Sequence, residues 1–253
     1  MNMKAALEHI DKKKAKLDLL RPLPPELIQN LQEWFAIDLT YNSNAIEGNS
    51  LTASETAVVV EKGLTIGGKT VKEHLEAINH IHALDYIKEL AQKKEVITVE
   101  VIKNIHLLIL KSVDDSNAGR WRKVAVKISG SDVQLPEHFK IQGLMEQFDF
   151  WLKNATTMHP VEKAIKAHFD LVAIRPFVDG NGRVARLLMN FILLQAGYPS
   201  AVIKQEKRAT YIASLEHAHA TSDLSKFKKF VCKAIDDSLS IWIDSAVSSN
   251  IKA

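Results

Sequence analysis

The chain has 253 residues, of which 46% are hydrophobic and 25% are charged, as in an ordinary soluble globular protein. Its net charge of +3 is too small to indicate nucleic acid as the main partner. The single cysteine excludes an internal disulfide, and the sequence has no Cys/His cluster with the spacing of a zinc site.

The length suits one large domain, or a core with an N-terminal extension. The first residues carry charges where a signal peptide needs an apolar stretch. No apolar run approaches the ~18 residues that a membrane span requires. We therefore expect a cytoplasmic protein that binds neither membranes nor nucleic acid.

Helix signals recur through the first hundred residues. A Pro-Pro pair at 24–25 opens a predicted helix that runs to about Glu47, with Gly48 as its C-terminal cap. Capping boxes at 52–55 and 70–73 then predict the starts of a short helix and a long helix.

Apolar residues at helical spacing predict helices through most of the remaining chain. These helices span about 98–112, 137–154, 161–174, 183–196, 207–220 and 224–247. Segment 124–135 departs from the pattern, because apolar residues alternate around a Gly-containing turn, as in a β-hairpin. The sequence thus predicts a mainly α-helical fold with one small β-hairpin, divided into an N-terminal helical region (1–60) and a core (61–253).

Segment 175–186 is the most informative part of the chain. It combines an acid, two glycines around an asparagine and two arginines, at Asp179, Gly180, Asn181, Gly182, Arg183 and Arg186. A glycine-rich turn before a helix can present backbone N–H groups to an anion, although Asp-Gly and Asn-Gly pairs also form plain turns. Two cations in the first helical turns oppose the helix dipole unless an anion compensates them, which favours a polyphosphate ligand.

The segment resembles the signature of the Fic family, His-x-Phe-x-Asp/Glu-Gly-Asn-Gly-Arg-x-x-Arg, at every fixed position except the first, which is Arg175. The resemblance implies a Fic-fold helical bundle that transfers AMP from ATP to a hydroxyl of a target protein. It also implies that Asp179 binds Mg²⁺. Residues 180–182 would hold the phosphates through backbone N–H groups, with help from the Asn181 side chain, and the two arginines would clamp them.

Arg175 occupies the position of the family's catalytic histidine. Arginine is effectively always protonated and cannot accept a proton from the attacking hydroxyl. Loss of a general base costs about 10²–10⁴-fold in rate. We therefore expect an inactive or nearly inactive adenylyltransferase that still binds ATP. A nucleotide-binding pseudoenzyme or regulator is the alternative, and a DNA-associated regulator is a weaker third reading.

Ser43, Glu47 and Gly48 resemble the family's inhibitory motif, Ser/Thr-x-x-x-Glu-Gly/Asn. Ser43 and Glu47 share one helix face, and a carboxylate at a helix C-terminus calls for a cationic partner. The resemblance implies that Glu47 pairs with Arg186 and blocks the phosphate site from within the chain. A serine and a glutamate at a helix end are also common for purely structural reasons.

The predicted hairpin resembles the family's target-binding flap, in which an edge strand pairs with an extended target segment. Its candidate contact residues are Val124, Val126, Ile128 and Val133. A plain two-stranded excursion fits the sequence equally well. Relatives commonly dimerise, so a homodimer is a further expectation from the resemblance.

Overall fold

A computed structural model describes residues 3–127 and 133–250, and within those residues the chain forms ten α-helices. They are α1 (Met3–Leu19), α2 (Pro25–Ile46), α3 (Ala53–Lys62), α4 (Val71–Gln92), α5 (Val99–Leu110), α6 (Ile141–Asn154), α7 (Pro160–Ile174), α8 (Asn181–Gln195), α9 (Arg208–Thr221) and α10 (Ser225–Asn250). Short 3₁₀ helices precede α6 and α9, at His138–Lys140 and Gln205–Lys207. The predicted mainly helical fold is confirmed.

Local chemistry explains where several helices begin. At Thr52 and Thr70 the threonine side chain accepts a hydrogen bond from the backbone N–H of the glutamate three positions on. The side chain of that glutamate accepts a hydrogen bond from the threonine N–H. Both predicted capping boxes are therefore confirmed. Helix α3 ends at Gly63, whose φ of 63° lies in the left-handed region that glycine adopts without strain.

Helix α8 lies at the centre of the molecule. Its residues are buried without interruption from Val184 to Leu193, and it packs against α2, α4, α5 and α7. A helix buried on every face needs apolar residues all round, and burial of each Leu or Phe contributes about 1.5–3 kcal/mol. The beginning of α8, and with it the preceding loop, is therefore held firmly in place.

Helix α1 is not among the helices predicted from the sequence. Its apolar residues Ala6, Ile10 and Leu17 are buried against the common core, while three of its five lysines are exposed. Asp11 accepts hydrogen bonds from Tyr198, which follows α8, and contacts His159 at the start of α7. The N-terminal helix is thus joined to the helices that carry the loop.

The β-hairpin predicted over 124–135 is wrong for the residues that the structure describes, because 124–127 and 133–135 contain no strand. Arg122 provides a physical reason. Its guanidinium donates to the Val124 carbonyl at 2.9 Å and to the Pro136 carbonyl at 2.5 Å. A side chain therefore joins the two arms where a backbone ladder was expected. Ile128 and the predicted turn lie outside the described residues.

Across the described ranges, every helix is too short or too polar to cross a lipid bilayer.

Candidate functional site

The loop between α7 and α8 is closed by the side chain of Asn181. Its Oδ1 accepts the Phe177 N–H at 3.0 Å, and its Nδ2 donates to the Phe177 carbonyl at 2.9 Å. Asn181 is 2% exposed, so its amide group is committed to the loop itself. The sequence predicts that this side chain helps to hold phosphate; in the structure both polar atoms of its amide bond the backbone of Phe177.

The first turn of α8 presents backbone donors to the loop. Gly180 caps the helix with a φ of 75°, and Val184 is the first residue to bond inside it, to the Gly180 carbonyl at 3.0 Å. The N–H groups of residues 181–183 therefore have no acceptor within the helix. Together with the helix dipole they form a positive cradle for an anion.

The carboxylate of Glu47 lies on this cradle. A β-carbon built on Gly182 would overlap Glu47 Oε1 and would lie 3.1 Å from Arg186 Nη1. Glu47 Oε1 also accepts a hydrogen bond from Arg186 Nη2 at 2.8 Å. An anionic group supplied by α2's C-terminal cap thus occupies the space beside the helix N-terminus.

Arg186 is buried and is held by α2 through more than this ion pair. Its Nε donates to Ser43 Oγ at 3.0 Å, and its Nη2 donates to the Ser43 carbonyl at 2.8 Å. Ser43 and Glu47 lie one helical turn apart and approach the same guanidinium. The next residue, Gly48, has a φ of 100°, in the region that favours glycine.

Arg183 is 2% exposed and lies between two carboxylates. Its Nη1 donates to Glu76 Oε1 at 3.2 Å, and its Nη2 is 3.5 Å from Asp179 Oδ2. Within residues 3–127 and 133–250, its Nε has no hydrogen-bond partner. Glu76, on α4, is a site residue whose role sequence reasoning missed, because its contact spans 107 positions of the chain.

Arg175 ends α7 in the left-handed conformation, with φ 48° and ψ 62°. Its carbonyl accepts the Arg122 Nε at 2.8 Å, and Arg122 N–H bonds the next carbonyl, Pro176 O, at 2.8 Å. Burial lowers the pKa of Arg175, while Glu47 and Asp179 oppose that shift. The Arg175 Nε is buried and has no hydrogen-bond partner among the residues that the structure describes.

His106 on α5 supports the loop from beneath and was not singled out from the sequence. Its ring stacks on Phe177 with centroids 3.6 Å apart. Its Nδ1 accepts the Gly119 N–H at 2.9 Å, which leaves Nε2 to donate to the Asp179 carbonyl at 3.0 Å. The ring therefore joins α5, residue 119 and the loop in one tautomer.

Three imidazoles around the arginines are buried and neutral. Burial lowers the pKa of His80 and of His168 to about 3, with Arg186 repelling added protons, and lowers the pKa of His106 to about 4. His80 contacts Thr40 Oγ1 and His168 contacts the Tyr211 hydroxyl, each at 2.9 Å. All three are at most 1% exposed, so none is accessible to serve as a general base for a bound substrate.

The candidate flap residues divide between exposed, half-buried and undescribed positions. Val124 is 54% exposed, and Val126 and Val133 are half-buried. Ile128 lies outside the described residues. Because Arg122 bonds both the Arg175 and the Val124 carbonyls, this segment begins beside the loop.

Comparison with known proteins matches the same region. The profile of the Fic/DOC family matches residues 96–193, which include α5, α6, α7 and most of α8. A protein adenylyltransferase Fic from Nematostella vectensis is 36% identical over 242 residues, covering 94% of this chain and 56% of that protein. The chain spans about half the length of the curated relatives it matches.

Solved structures share the arrangement of helices. A Fic-domain-containing signaling protein from Bacteroides thetaiotaomicron superposes with a TM-score of 0.87 at 29% identity, covering 95% of this chain and 97% of that one. A substituted fragment of Fic-1 from C. elegans superposes with a TM-score of 0.85 at 30% identity, covering 96% of this chain and 72% of that one.

Proposed function

The chain belongs to the Fic/DOC family, and on that basis we propose that it is the scaffold of a protein adenylyltransferase, which transfers AMP from ATP to a hydroxyl of a target protein. The observation that carries the proposal is the cradle at the start of α8. A polyphosphate site requires free backbone N–H groups and positive charge, and this cradle offers both through the start of α8 and two buried arginines. The Glu47 carboxylate lies among these groups, where it would compete with a phosphate.

In this proposal the N–H groups of residues 181–183 bind phosphate oxygens, and Gly182 leaves room for them. Arg183 and Arg186 supply the positive charge that clamps the β- and γ-phosphates. Arginine suits this role because its planar guanidinium can bond two oxygens at once. Asn181 acts indirectly, by holding the loop in the shape that exposes those donors.

Asp179 is the residue that fits Mg²⁺. Its side chain is 62% exposed, and its Oδ1 already accepts the Gly180 N–H at 2.7 Å. Within the described ranges no group of three His, Cys, Asp or Glu side chains forms a metal cage. A single exposed carboxylate such as Asp179 fits Mg²⁺, which is commonly held by one carboxylate, water and substrate phosphates. When bound, the ion neutralises phosphate charge.

We propose that Glu47 is an internal inhibitor. Its carboxylate neutralises Arg186 and places negative charge where a phosphate oxygen would bind. Replacing Glu47 by Gly would free the Arg186 guanidinium and the space for the phosphate oxygen. We expect Mg–ATP to bind about 5–150-fold more tightly to Glu47→Gly, the range of a typical coupling between competing sites. Glu47→Gln, which keeps the shape and removes the charge, should give an intermediate gain.

Arg175 limits the proposed activity. Although burial lowers its pKa, a guanidinium stays protonated near neutral pH and offers no lone pair to the attacking hydroxyl. The buried histidines cannot supply the missing general base, because bound substrate cannot reach them. The protein as it stands would therefore bind ATP and transfer AMP slowly or not at all. The alternative, a nucleotide-binding pseudoenzyme, rests on the same residue.

Transfer of label from ATP distinguishes the two functions. In a Glu47→Gly background, Arg175→His should raise transfer to the protein itself or to a target by about 10²–10⁴-fold, the usual contribution of a general base. Histidine also suits the left-handed conformation at this position better than most residues. Arg175→Gln is the control, because it removes the charge without supplying a base. Intact ATP binding without transfer in Arg175→His would favour the pseudoenzyme.

Four further features of the protein stay predictions. They are the boundary between an N-terminal region and a core at residue 60, the binding of a target by the segment after Arg122, a homodimer and a cytoplasmic location.

A further inference from the structure

Helix α2 carries Ser43 and Glu47, and a second segment grips it along an adjoining face. We call this segment, residues 204–208, the clamp. It comprises the 3₁₀ helix before α9, the residue that precedes it and the first residue of α9. Its contacts fall on α2 at positions 34, 38, 42 and 46, which are four apart and therefore share one face.

The clamp begins with an ion pair. Lys204 Nζ donates to both oxygens of Asp38, at 2.8 and 2.6 Å, and lies 5.6 Å from the centre of the Trp34 ring. The Asp38 carboxylate is only 14% exposed, so water screens this pair less than it screens a surface pair.

Asn42 forms the middle of the contact. Its Nδ2 donates to the carbonyl and to Oδ1 of Asp38, both at 2.8 Å. Its Oδ1 accepts the backbone N–H of Gln205 at 2.8 Å. Asn42 is 2% exposed, and every hydrogen-bonding group of its amide is used. The contact therefore fixes the rotation of α2 about its axis at this point.

Arg208 closes the clamp next to the inhibitory residue. Its Nε donates to the carbonyl of Ile46 at 2.7 Å. Ile46 is the last residue of α2, where carbonyls lack intrahelical partners, and a cation there also suits the helix dipole. The next residue is Glu47, so this bond fixes the peptide from which the inhibitory carboxylate projects.

We propose that the clamp sets the strength of inhibition, with Lys204 and Arg208 acting as positioning residues for Glu47. This inference rests on the proposed role of Glu47 as an inhibitor. Ser43 and Glu47 follow the clamped positions 42 and 46 by one residue, so a helix held by the clamp keeps both against Arg186. Loosening the clamp lets the end of α2 move away, and the cradle is then open to phosphate.

Calorimetric titration with Mg–ATP tests this in four proteins: the parent, Lys204→Met/Arg208→Ala, Glu47→Gly, and the combined variant. The clamp variant should bind about three- to tenfold more tightly than the parent, as expected for loss of partly exposed charged contacts. In the Glu47→Gly background the same changes should alter affinity by less than about twofold, because no inhibitor remains to be positioned.

Lys207→Met is the matched control. Lys207 lies in the same 3₁₀ helix and is exposed, and no side-chain contact from it to α2 is seen, so its loss should leave affinity unchanged. Melting temperatures establish that each variant is folded. If the double variant does not fold, Arg208→Ala alone carries the test, because that side chain is exposed.

Two results would overturn the inference: an unchanged affinity in the clamp variant, or an equal change with and without Glu47. An unchanged affinity in Glu47→Gly itself would instead reject inhibition by Glu47, and the clamp's role with it.

Discussion

The Glu47 carboxylate rests on the backbone of Gly182 so closely that a single methyl group at position 182 would overlap Oε1. Gly182 does not have the positive φ that marks Gly180, so its value here is space. The same space lies beside the first N–H groups of α8 and Arg186. An anion from this chain or from a nucleotide therefore fits in the cradle only because residue 182 has no side chain.

Gly182→Ala should displace Glu47 from Arg186. The overlapping atom, Glu47 Oε1, is at the end of a flexible side chain, so it should move while α8 stays formed. We expect a loss of about 1–3 kcal/mol in the free energy of unfolding, as for other overpacked sites, measured by urea denaturation. In the Glu47→Gly background the cost should vanish, since alanine suits a helix better than glycine. Equal costs in both backgrounds would contradict the contact.

Asn181→Ala should loosen the loop. It leaves the buried N–H and carbonyl of Phe177 without partners, at a cost of about 1–3 kcal/mol each in the free energy of unfolding. Asn154→Ala is the matched control, because the Asn154 Nδ2 also bonds the carbonyl four residues earlier, at 2.7 Å, but is exposed. Similar losses for the two variants would show that the buried amide does not hold the loop.

His106→Phe should weaken Mg–ATP binding as well as stability. The ring can still stack on Phe177, but the Asp179 carbonyl loses its donor, so the turn that presents the phosphate donors is less firmly held. We expect ATP affinity to fall about tenfold, equivalent to one lost hydrogen bond to the loop.

His74→Phe separates positioning from general stability. His74 is also buried and bonds two backbone groups, the Ile66 N–H at 2.8 Å and the Thr70 carbonyl at 2.7 Å, and neither bond reaches α8 or the loop before it. It should lower the melting temperature and leave ATP affinity unchanged. Equal losses of affinity in the His74 and His106 variants would reject a positioning role for His106.

Acid should destabilise the protein through its buried histidines. Burial holds the pKa of His80 and of His168 at about 3, whereas in the unfolded chain histidine titrates near 6.5. Below about pH 6.5 the unfolded chain therefore binds more protons, so the stability present at neutral pH is lost as pH falls toward 3. Each histidine should contribute a slope approaching ~1.4 kcal/mol per pH unit.

Urea denaturation between about pH 6.5 and about pH 4 measures this slope. His168→Gln should remove its share of the slope, and the variant of an exposed histidine, His82→Gln, is the control. A slope that His168→Gln leaves as steep as in the parent would contradict a neutral, buried His168.

Local signals in the sequence were sufficient for most helices. The capping boxes at Thr52 and Thr70 act within four residues, so they can be recognised without knowledge of the fold. Helix α1 was missed because its lysines obscure a narrow apolar stripe, whose partners come from distant parts of the chain. The hairpin was predicted wrongly because Arg122, which lies before the segment, bonds the Val124 carbonyl at its beginning and the Pro136 carbonyl just after its end.

The candidate site was predictable where its residues are contiguous. The loop and its arginines could be recognised from one short segment, and the Ser43–Glu47 spacing suggested a shared helix face. His106 and Glu76 could not be found in this way. Each is an ordinary residue within a helix. The contact of His106 with the loop spans 73 positions of the chain, and the contact of Glu76 with Arg183 on α8 spans 107. Only the packing of α4 and α5 against α8 brings them to the site.

Calorimetric titration of Mg–ATP into Glu47→Gly and Glu47→Gly/Arg186→Met measures whether the cradle at the start of α8 binds polyphosphate. We expect saturable binding of one nucleotide per chain to the first protein, and binding at least about tenfold weaker after loss of the guanidinium, as for a charged hydrogen bond. Absence of saturable binding to Glu47→Gly, or equal affinity in the two proteins, would contradict the assignment of the α8 cradle to polyphosphate.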